Sequence, residues 1–355
     1  AMRARSRLGA VLVFLLLGSC CVNQVVRAEA ESLHEDDGEE ELDLEYLLEI
    51  MKKSREGMAQ ATNPESISLD TVRGPSLSPP PSPAPAKRQF QKGATDIASV
   101  VAQREMQAAQ AARLSSAFLP GKEQIMLVAP GERIEQRDWT VECNSTFYEL
   151  AYGIIPDCTP RKCRRIVRDG FMESRHAEQL FSATQRAMEN LFHQGGTTAL
   201  APAAAAKRLG FQAHLLFQMY SIKARLQIME DYGCQSLYNS GALLTRSMAD
   251  PPNDEWELEP GHVYWNAHVD KANIPTYDYS ALVYLNTKDV DYEGGAFVFI
   301  DDDADRIIDP VQGRLVTFTS GPENLHQVRE VTKGTRLVLA MWFTCSEQHQ
   351  YHDDD

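Results

Sequence analysis

The chain contains 355 residues, of which 43% are hydrophobic and 8% aromatic, and its formal net charge is −15. This length allows one or two domains, and the strongly acidic balance argues against nucleic acid as a partner. The aromatic residues are spread unevenly, since all four tryptophans lie beyond residue 135: Trp139, Trp256, Trp265 and Trp342. We therefore expect the packed core in the C-terminal part of the chain.

Residues 1–28 have the pattern of a targeting segment. A basic start precedes an apolar run over residues 8–17, and small residues follow up to Ala28. This order is typical of a secretory signal peptide, and the run is shorter than the roughly 20 residues that span a bilayer. We predict a signal peptide, and the alternative is an uncleaved signal anchor. Only the anchor would attach the protein to a membrane. Both forms predict a location in the secretory pathway, in the lumen of the endoplasmic reticulum or the Golgi.

The next segments differ in composition from a globular domain. Residues 29–93 contain an acidic block at 35–49 and a proline-rich stretch at 74–86, neither of which can build a core. Residues 94–118 are rich in alanine, glutamine and arginine, which predicts a helix. We interpret residues 29–93 as largely non-globular, and residues 94–135 as a helical stalk or linker with self-association as an alternative role.

A folded domain is predicted over residues 136–345. Apolar residues repeat every three or four positions at 173–193 and again at 211–232, which predicts two amphipathic helices. The alanine run at 199–206, which Pro202 interrupts, predicts a loop.

Strand patterns begin at about residue 236 and continue to residue 345. Short alternating or β-branched runs are separated there by Gly, Asp, Asn and Pro, which predicts a β-sandwich or barrel. Because the helices come first and the strands follow, we expect an α+β domain with helices packed outside a β-core. Residues 346–355 form an acidic tail that we expect to be disordered.

Five cysteines lie beyond the predicted signal segment: Cys143, Cys158, Cys163, Cys234 and Cys345. The secretory lumen permits disulfides, and five thiols allow two bridges with one thiol left over. We take four as disulfide candidates without assigning pairs: Cys143, Cys158, Cys163 and Cys345. The triplet that begins at Asn144 is a glycosylation acceptor, which fits a lumenal surface loop.

His268 and Asp270 are potential metal ligands spaced two residues apart. On an extended strand their side chains would share one face and could reach one ion. His326 follows 56 residues after Asp270, and an antiparallel sheet could bring it opposite the pair. Two imidazoles and one carboxylate are the facial ligand set of non-haem Fe(II) oxygenases. The spacing also allows the alternative of two unrelated structural histidines.

Arg336 stands ten residues past His326, in a predicted strand that points it inward together with Val338. A charged residue facing a β-core is costly unless it is paired, and a guanidinium can hold a carboxylate through two hydrogen bonds. A structural Asp or Glu could be the partner, but beside a facial metal set the 5-carboxylate of 2-oxoglutarate fits better. Arg336 therefore favours an Fe(II) oxygenase that uses 2-oxoglutarate.

These residues resemble the iron and 2-oxoglutarate signature of the prolyl 4-hydroxylase-like dioxygenases. The resemblance extends to Tyr284 in the strand after the first ligand pair, to the paired-glycine turn Gly294-Gly295 and to Trp342. It is closer still to one subgroup, the 2-oxoglutarate- and iron-dependent oxygenase domain-containing protein 3 type, and covers residues 143–345. The motifs that carry the likeness to this subgroup lie at 158–163, 264–271 and 319–326.

The resemblance implies a double-stranded β-helix, or jelly-roll, core with flanking helices. It implies that His268, Asp270 and His326 bind Fe(II). It also implies that Arg336 and Tyr284 bind 2-oxoglutarate. The expected reaction consumes O2 and 2-oxoglutarate, gives succinate and CO2, and hydroxylates a protein or peptide substrate, with ascorbate as a reductant by the same likeness.

The sequence departs from collagen-type prolyl hydroxylases at two positions. Arg336 stands where they usually have lysine, and Trp265 stands where they usually have tyrosine. The first change preserves carboxylate binding, whereas the second puts a proline-peptide substrate in doubt. Two alternatives stay open: a cupin-type metal-binding jelly roll without 2-oxoglutarate, and a non-catalytic lumenal interaction protein that retains the fold.

Overall fold

The computed structural model describes residues 97–117, 121–143, 146–189, 191, 197–249 and 265–351. The predicted signal segment, the acidic and proline-rich segment and Asn144 lie outside the described residues. The α-helices are α1 (Ile97–Ala117), α2 (Thr146–Glu149), α3 (Ser174–Ala187), α4 (Pro202–Arg208), α5 (Phe211–Tyr232) and α6 (Asp270–Asn273). The strands are β1 (Glu123–Met126), β2 (Gln136–Val141), β3 (Cys163–Arg168), β4 (Thr197–Leu200), β5 (Tyr238–Met248), β6 (Tyr279–Tyr284), β7 (Tyr292–Gly294), β8 (Phe297–Ile300), β9 (Ala304–Ile308), β10 (Leu315–Thr319), β11 (His326–Val328) and β12 (Val331–Thr344). Short 3-10 turns occur at Pro322–Asn324 and Glu347–His349.

The described strands form a larger and a smaller sheet. The larger sheet has the order β2-β3-β10-β6-β12-β5-β4, and β7 pairs with one end of β12. The smaller sheet has the order β1-β9-β8-β11. All pairings in both sheets are antiparallel except that of β1 with β9.

The chain passes back and forth between these sheets. Between β5 and β6 of the larger sheet, His268 makes an antiparallel bridge to His326 in the smaller sheet. β8 and β9 then lie in the smaller sheet, β10 in the larger, β11 in the smaller and β12 in the larger. This alternation is the connectivity of a double-stranded β-helix. The predicted α+β fold with a jelly-roll core is therefore confirmed.

The core lies where the two sheets face each other. Val316 and Phe318 of β10 are two residues apart and both buried in one cluster, as the period of a strand requires. Phe297 and Phe299 reach the same cluster from β8 of the smaller sheet. Each such side chain contributes about 1.5–3 kcal/mol by leaving water. Val338 of β12 joins the cluster, so the predicted inward face of β12 is the observed one.

α5 lies against β5 and β12 of the larger sheet. Its bounds agree with the helix predicted at 211–232, whereas α3 ends at Ala187, before the predicted end. Leu216 and Tyr220 of α5 are buried, and the Tyr220 hydroxyl lies 2.9 Å from His176 Nδ1 of α3. This contact joins the two helices and gives His176 a structural role.

The alanine run at 199–206 is not the loop that the sequence predicts. Thr197–Leu200 forms β4, which pairs with β5, and Pro202–Arg208 forms α4. Pro202 lies in the first turn of α4, where backbone N–H groups have no acceptor within the helix. The missing N–H of proline therefore costs no hydrogen bond there. Alanine has the highest helix propensity, so the residues after the proline continue the helix. The prediction was wrong because it took the proline as a loop signal.

α1 packs against the folded domain and is not a separate stalk. Met106 is fully buried in a cluster with Val269 and Ile307, and β1 after it pairs with β9. Few positions of this alanine-rich helix are large and apolar, so its sequence gives little sign of a packing partner. The domain therefore includes the described residues from Ile97 onward, and the predicted boundary at residue 136 is corrected.

The described part of the C-terminal tail is also ordered against the domain. The ring of His349 stacks on Tyr152 with a centroid distance of 5.3 Å. The backbone N–H of Tyr351 donates to the carbonyl of Asn239 at 2.8 Å. The prediction of a disordered tail was wrong for residues 346–351, because the His349 ring and the Tyr351 backbone find partners that the acidic composition does not suggest.

Two disulfides join the four cysteine candidates. Cys143 bonds to Cys163, and Cys158 bonds to Cys345 across 187 residues of sequence. Cys234 is the free cysteine of the described residues and is buried. None of the helices described is both long and apolar enough to cross a membrane.

A buried ion pair ties the start of β10 to the loop after β3, and we expect it to make stability depend on pH. Arg314 donates to Asp169 from Nε at 2.6 Å and from Nη2 at 3.0 Å, and the Ile134 amide donates to the same carboxylate at 2.9 Å. Burial alone would raise the pKa of Asp169, but these hydrogen bonds outweigh it and hold the pKa below its usual value. The carboxylate therefore stabilises the fold above the unfolded-state pKa of about 3.9, and this contribution is lost as the pH falls through the lower folded-state pKa.

Asp169→Asn should lower the free energy of unfolding by about 1.5–3 kcal/mol at neutral pH, and the difference from the wild type should shrink near pH 3. Urea unfolding at the two pH values measures it. Asp138→Asn is the matched control, because its pair with Arg164 is partly exposed and such pairs contribute about 1 kcal/mol or less. A difference as large at low pH as at neutral pH would contradict the assignment.

Candidate metal centre

His268 and His326 face each other across the edge of the smaller sheet. The His268 N–H donates to the His326 carbonyl at 2.8 Å, and the His326 N–H donates to the His268 carbonyl at 3.0 Å. Residues paired in this way project their side chains to the same side of a sheet. The two imidazole rings accordingly lie 4.4 Å apart between centroids.

Asp270 joins the two histidines to complete a cluster that we call the metal triad (His268, Asp270 and His326). Its Oδ1 lies 3.6 Å from His268 Nε2 and 3.8 Å from His326 Nε2, and the three ligand atoms lie within 4.8 Å of one another. The predicted continuous strand is wrong, since Asp270 begins α6. Val269 is nevertheless extended, with φ −114° and ψ 126°, which turns its two neighbours to the same side.

Hydrogen bonds orient each member of the metal triad. His268 Nδ1 donates to the Asn266 carbonyl at 3.0 Å, and His326 Nδ1 donates to the Asn324 carbonyl at 2.8 Å. Because a carbonyl only accepts, the proton of each neutral ring lies on Nδ1 and the Nε2 lone pair points to the centre. Asp270 Oδ2 accepts from the Ser280 hydroxyl at 2.6 Å, which leaves Oδ1 for an ion.

The electrostatics of the triad suit a cation. Burial would raise the pKa of Asp270, but the imidazoles of His326 and His268 and the Ser280 hydroxyl hold it well below its usual value. Burial and the neighbouring His268 lower the pKa of His326 to about 4. At neutral pH the buried pair therefore consists of a carboxylate and a neutral imidazole, the forms that bind metals. For His268, the Asp270 carboxylate outweighs burial and raises the pKa.

Arg336 lies in a second cluster, which we call the carboxylate pocket (Arg336, Tyr284 and Tyr292). The arginine side chain is 4% exposed, and its guanidinium carbon lies 5.5 Å from the centre of the Tyr284 ring. Arg336 Nε and the hydroxyls of both tyrosines are buried without a hydrogen-bond partner among the described residues. Buried polar groups of this kind require a partner. A carboxylate ligand would supply acceptors for all three donors.

Both tyrosines of the pocket are neutral hydrogen-bond donors. Burial raises the pKa of Tyr284 to about 12, although nearby arginines act in the opposite direction. Burial also raises the pKa of Tyr292. Two phenols and one guanidinium can all donate to one carboxylate, which fits the far carboxylate of 2-oxoglutarate.

Gly295 explains the paired-glycine turn. A Cβ there would lie 2.9 Å from Tyr292 Cε2 and 3.0 Å from Arg336 Cδ, and the backbone has φ +65°. Any larger side chain would therefore displace the carboxylate pocket. Sequence reasoning found the glycines but missed Tyr292, although it lies two residues before Gly294 on β7 and β7 pairs with the start of β12.

A buried ion pair supports the segment that carries Asp270. Lys271 is fully buried, and its Nζ donates to Asp278 Oδ1 and to the Tyr277 carbonyl, each at 3.0 Å. The other oxygen of Asp278 accepts from the Tyr152 hydroxyl and, at 2.8 Å, from the Cys345 amide. The pair thus links the segment after Asp270 to the end of β12 and its disulfide.

Lys271→Met should destabilise the protein by about 3–5 kcal/mol, because it leaves the Asp278 carboxylate buried without its cation. Adding Asp278→Asn should recover part of this loss, with a coupling energy of roughly 1–3 kcal/mol between the two sites. Urea unfolding of the two single variants and the double variant measures this coupling. Strictly additive effects would show that the two side chains do not interact.

The chain matches the 2OG-Fe(II) oxygenase superfamily over residues 258–344, a range that includes the metal triad and the carboxylate pocket. It is 30% identical over 245 residues to the 2-oxoglutarate and iron-dependent oxygenase domain-containing protein 3 of Xenopus tropicalis, a match that covers 64% of this chain and 77% of that relative. The chain belongs to this family. It is a 2-oxoglutarate-dependent dioxygenase, and the family's use of Fe(II) and 2-oxoglutarate agrees with the two clusters.

Two further likenesses concern prolyl hydroxylases. This oxygenase is 51% identical over 101 residues to prolyl 3-hydroxylase 2 of Gallus gallus, covering 27% of this chain and 12% of that relative. Among solved structures it is similar to a prolyl-4-hydroxylase of Pseudomonas putida, with a TM-score of 0.37, 20% identity and coverage of 51% of this chain and 91% of that chain.

Proposed function

We propose that this oxygenase hydroxylates a side chain of a protein substrate in the secretory pathway, with succinate and CO2 as co-products. The metal triad binds Fe(II), and the carboxylate pocket binds the 5-carboxylate of 2-oxoglutarate. Bound iron supplies the activation of O2 and the coupling of 2-oxoglutarate decarboxylation to substrate oxidation.

The observation that carries the proposal is the buried guanidinium of Arg336, for which the described residues supply no carboxylate partner. A buried arginine in a finished fold is usually paired, because its desolvation is otherwise too costly. Tyr284 and Tyr292 add two donors that also lack partners among the described residues. A dicarboxylic cosubstrate satisfies all of these groups, whereas a cupin-type site without 2-oxoglutarate leaves them unexplained.

The protein side chains contribute binding, orientation and exclusion of water. The carbonyls of Asn266 and Asn324 fix the imidazole tautomers, and Ser280 holds the triad carboxylate. Aromatic rings of Phe297 and Phe318 pack within 5.0–5.2 Å of the His326 ring. These rings keep water away from His326, and electrostatic interactions in such surroundings are stronger than in water.

The class of substrate and the location rest on separate support. The relative that is 51% identical over 101 residues is a prolyl 3-hydroxylase by name, which favours a protein side chain as the substrate. Trp265, in place of the usual tyrosine, favours a target other than collagen-type proline peptides.

Two disulfides favour an oxidising compartment, in agreement with the predicted signal segment. Ascorbate as a reductant and glycosylation at Asn144 belong to the same proposal.

The test is 2-oxoglutarate turnover by the purified full chain with Fe(II) and a peptide library that contains prolyl, lysyl and other candidate side chains. Succinate formation and a 16 Da mass increase on particular peptides are the expected results. A folded, Fe(II)-binding protein that neither binds nor consumes 2-oxoglutarate would overturn the proposal in favour of a binding module. Hydroxylation of a small molecule alone would overturn the assignment of a protein substrate.

A further inference from the structure

The backbone amide of Val269 lies between two members of the metal triad and needs a partner. Val269 is fully buried. The N–H and carbonyl of His268 both pair with His326, so on the extended segment the next N–H points the opposite way, out of the edge of the smaller sheet. A buried N–H without a partner costs about 1–3 kcal/mol.

Gln110 of α1 supplies that partner from 159 residues away in the sequence. Its Oε1 accepts from the Val269 N–H at 2.8 Å, so this side chain takes the place of a neighbouring strand. One turn earlier, Met106 packs against Val269 and Ala272. Two turns earlier, Gln103 Nε2 donates to the carbonyl of Asn273 at 3.2 Å, at the end of α6. One face of α1 therefore follows the whole segment that carries Asp270.

The same helix also holds the segment that leads to the third ligand. Arg113 Nη1 donates to the carbonyl of Pro322 at 2.8 Å, and its Nη2 donates to the carbonyl of Ile300 at 3.2 Å. Pro322 begins the 3-10 turn that ends at Asn324, two residues before His326. α1 thus joins the two ligand-bearing segments from outside the sheet.

We propose that Gln110 is a positioning residue of the metal centre. It fixes the peptide bond between His268 and Val269. It thereby holds the His268 imidazole and the Asp270 carboxylate at the separation that one ion requires. This inference rests on the proposed function, since it treats the triad as metal ligands. The superfamily match begins at residue 258, so this role of α1 lies outside the matched range.

Without the acceptor, the Val269 N–H stays buried and unpaired, and rotation of this peptide relieves it. Such a rotation moves the Asp270 carboxylate away from the imidazoles, because Asp270 follows directly in the chain. Partners that orient metal ligands typically change metal affinity by 10–100-fold when they are removed, and we expect about 10-fold here.

Three variants of the full-length protein test the role. Gln110→Met keeps the length of the side chain but removes the acceptor, whereas Gln110→Glu keeps the acceptor. Gln107→Met is the matched control, because Gln107 is exposed on the same helix. Two properties are measured: hydrogen exchange of the Val269 amide in the metal-free protein, and Co(II) affinity from its visible absorption without 2-oxoglutarate.

Gln110→Met should speed exchange at Val269 and weaken Co(II) binding about 10-fold. Gln110→Glu and Gln107→Met should stay within about threefold of the wild type in both measurements. Faster exchange with unchanged Co(II) affinity would show a purely structural hydrogen bond, and unchanged exchange would show that the bond is absent; either result overturns the proposal. If Gln110→Met does not fold, Gln110→Asn, which is one methylene short of the contact, is judged by the same two outcomes.

The exchange measurement also separates this inference from the proposed function. A wild-type protein that binds no Co(II) would overturn the metal centre and the positioning role together, while faster exchange at Val269 in Gln110→Met would still show that the contact to Gln110 exists. A wild-type protein that binds Co(II) but not 2-oxoglutarate would overturn the proposed function and leave the positioning role standing.

Discussion

His326→Ala is expected to lower succinate formation by at least about 100-fold. In the proposed metal centre, the substitution removes one of three protein ligands. The metal stabilises the transition state by several kcal/mol, and each 1.4 kcal/mol of this stabilisation corresponds to about a tenfold change in rate. His326 is buried although β11 is the last strand of the smaller sheet, so solvent cannot easily replace its imidazole with a comparably held ligand.

The control for this prediction is His349→Ala, which makes the same change at a histidine whose ring stacks on Tyr152 outside the triad. Its turnover should stay within about twofold of the wild type. Circular dichroism and the melting temperature show that both variants are folded. A folded His326→Ala protein with a tenth or more of the wild-type turnover would show that His326 is not a ligand of the catalytic metal.

Arg336→Met is expected to raise the KM for 2-oxoglutarate by about 100-fold, with a smaller effect on kcat. Truncating one partner of a buried charge pair costs about 2–5 kcal/mol, and about 2.7 kcal/mol corresponds to 100-fold. Under the proposed function the pocket binds the end of the cosubstrate remote from the iron, so the loss should fall mainly on binding and not on the oxidation step.

Arg336→Lys separates charge from geometry. A lysine keeps the positive charge but loses the two-pronged hydrogen bond, so its KM should lie between those of the wild type and Arg336→Met. Initial rates of succinate formation at varied 2-oxoglutarate concentration measure all three proteins. An unchanged KM in Arg336→Met would contradict the assignment of the carboxylate pocket and would favour a structural role for the guanidinium.

Local pattern was sufficient for those parts of the fold whose side chains repeat with a regular period. The apolar repeat at 211–232 predicts α5, and the alternation around Arg336 and Val338 predicts their common inward face. The pair His268 and Asp270 follows the same rule, since it needs only an extended residue between two ligands. Even there the sequence misplaced the strand, because α6 begins at Asp270 as soon as the bridge to His326 ends.

The parts that the sequence could not predict depend on contacts between distant segments. Tyr292 joins the carboxylate pocket only because β7 pairs with the start of β12. Gln110 meets Val269 only because α1 packs on the edge of the smaller sheet. Four disulfide candidates allow three pairings, and spacing alone does not select among them.

The error at the alanine run has a different cause. Pro202 interrupts the run and by itself indicates a break, whereas a proline in the first turn is a common start of a helix. The polar composition of α1 likewise concealed a packed helix, because its apolar packing uses small or flexible side chains: Ala102, Met106 and Leu114. Composition measures the average of a segment, but packing depends on one face of it.

The most direct measurement of the central claim is an anaerobic titration of the Fe(II)-loaded full chain with 2-oxoglutarate. A 2-oxo acid that chelates Fe(II) produces a visible charge-transfer absorption band, so the band reports the metal triad and the carboxylate pocket together. We expect the band to saturate near equimolar 2-oxoglutarate, to be absent in Asp270→Ala and to require about 100-fold more 2-oxoglutarate in Arg336→Met. A folded wild-type protein that binds Fe(II) without developing the band, or an Asp270→Ala protein that retains it, would contradict the account.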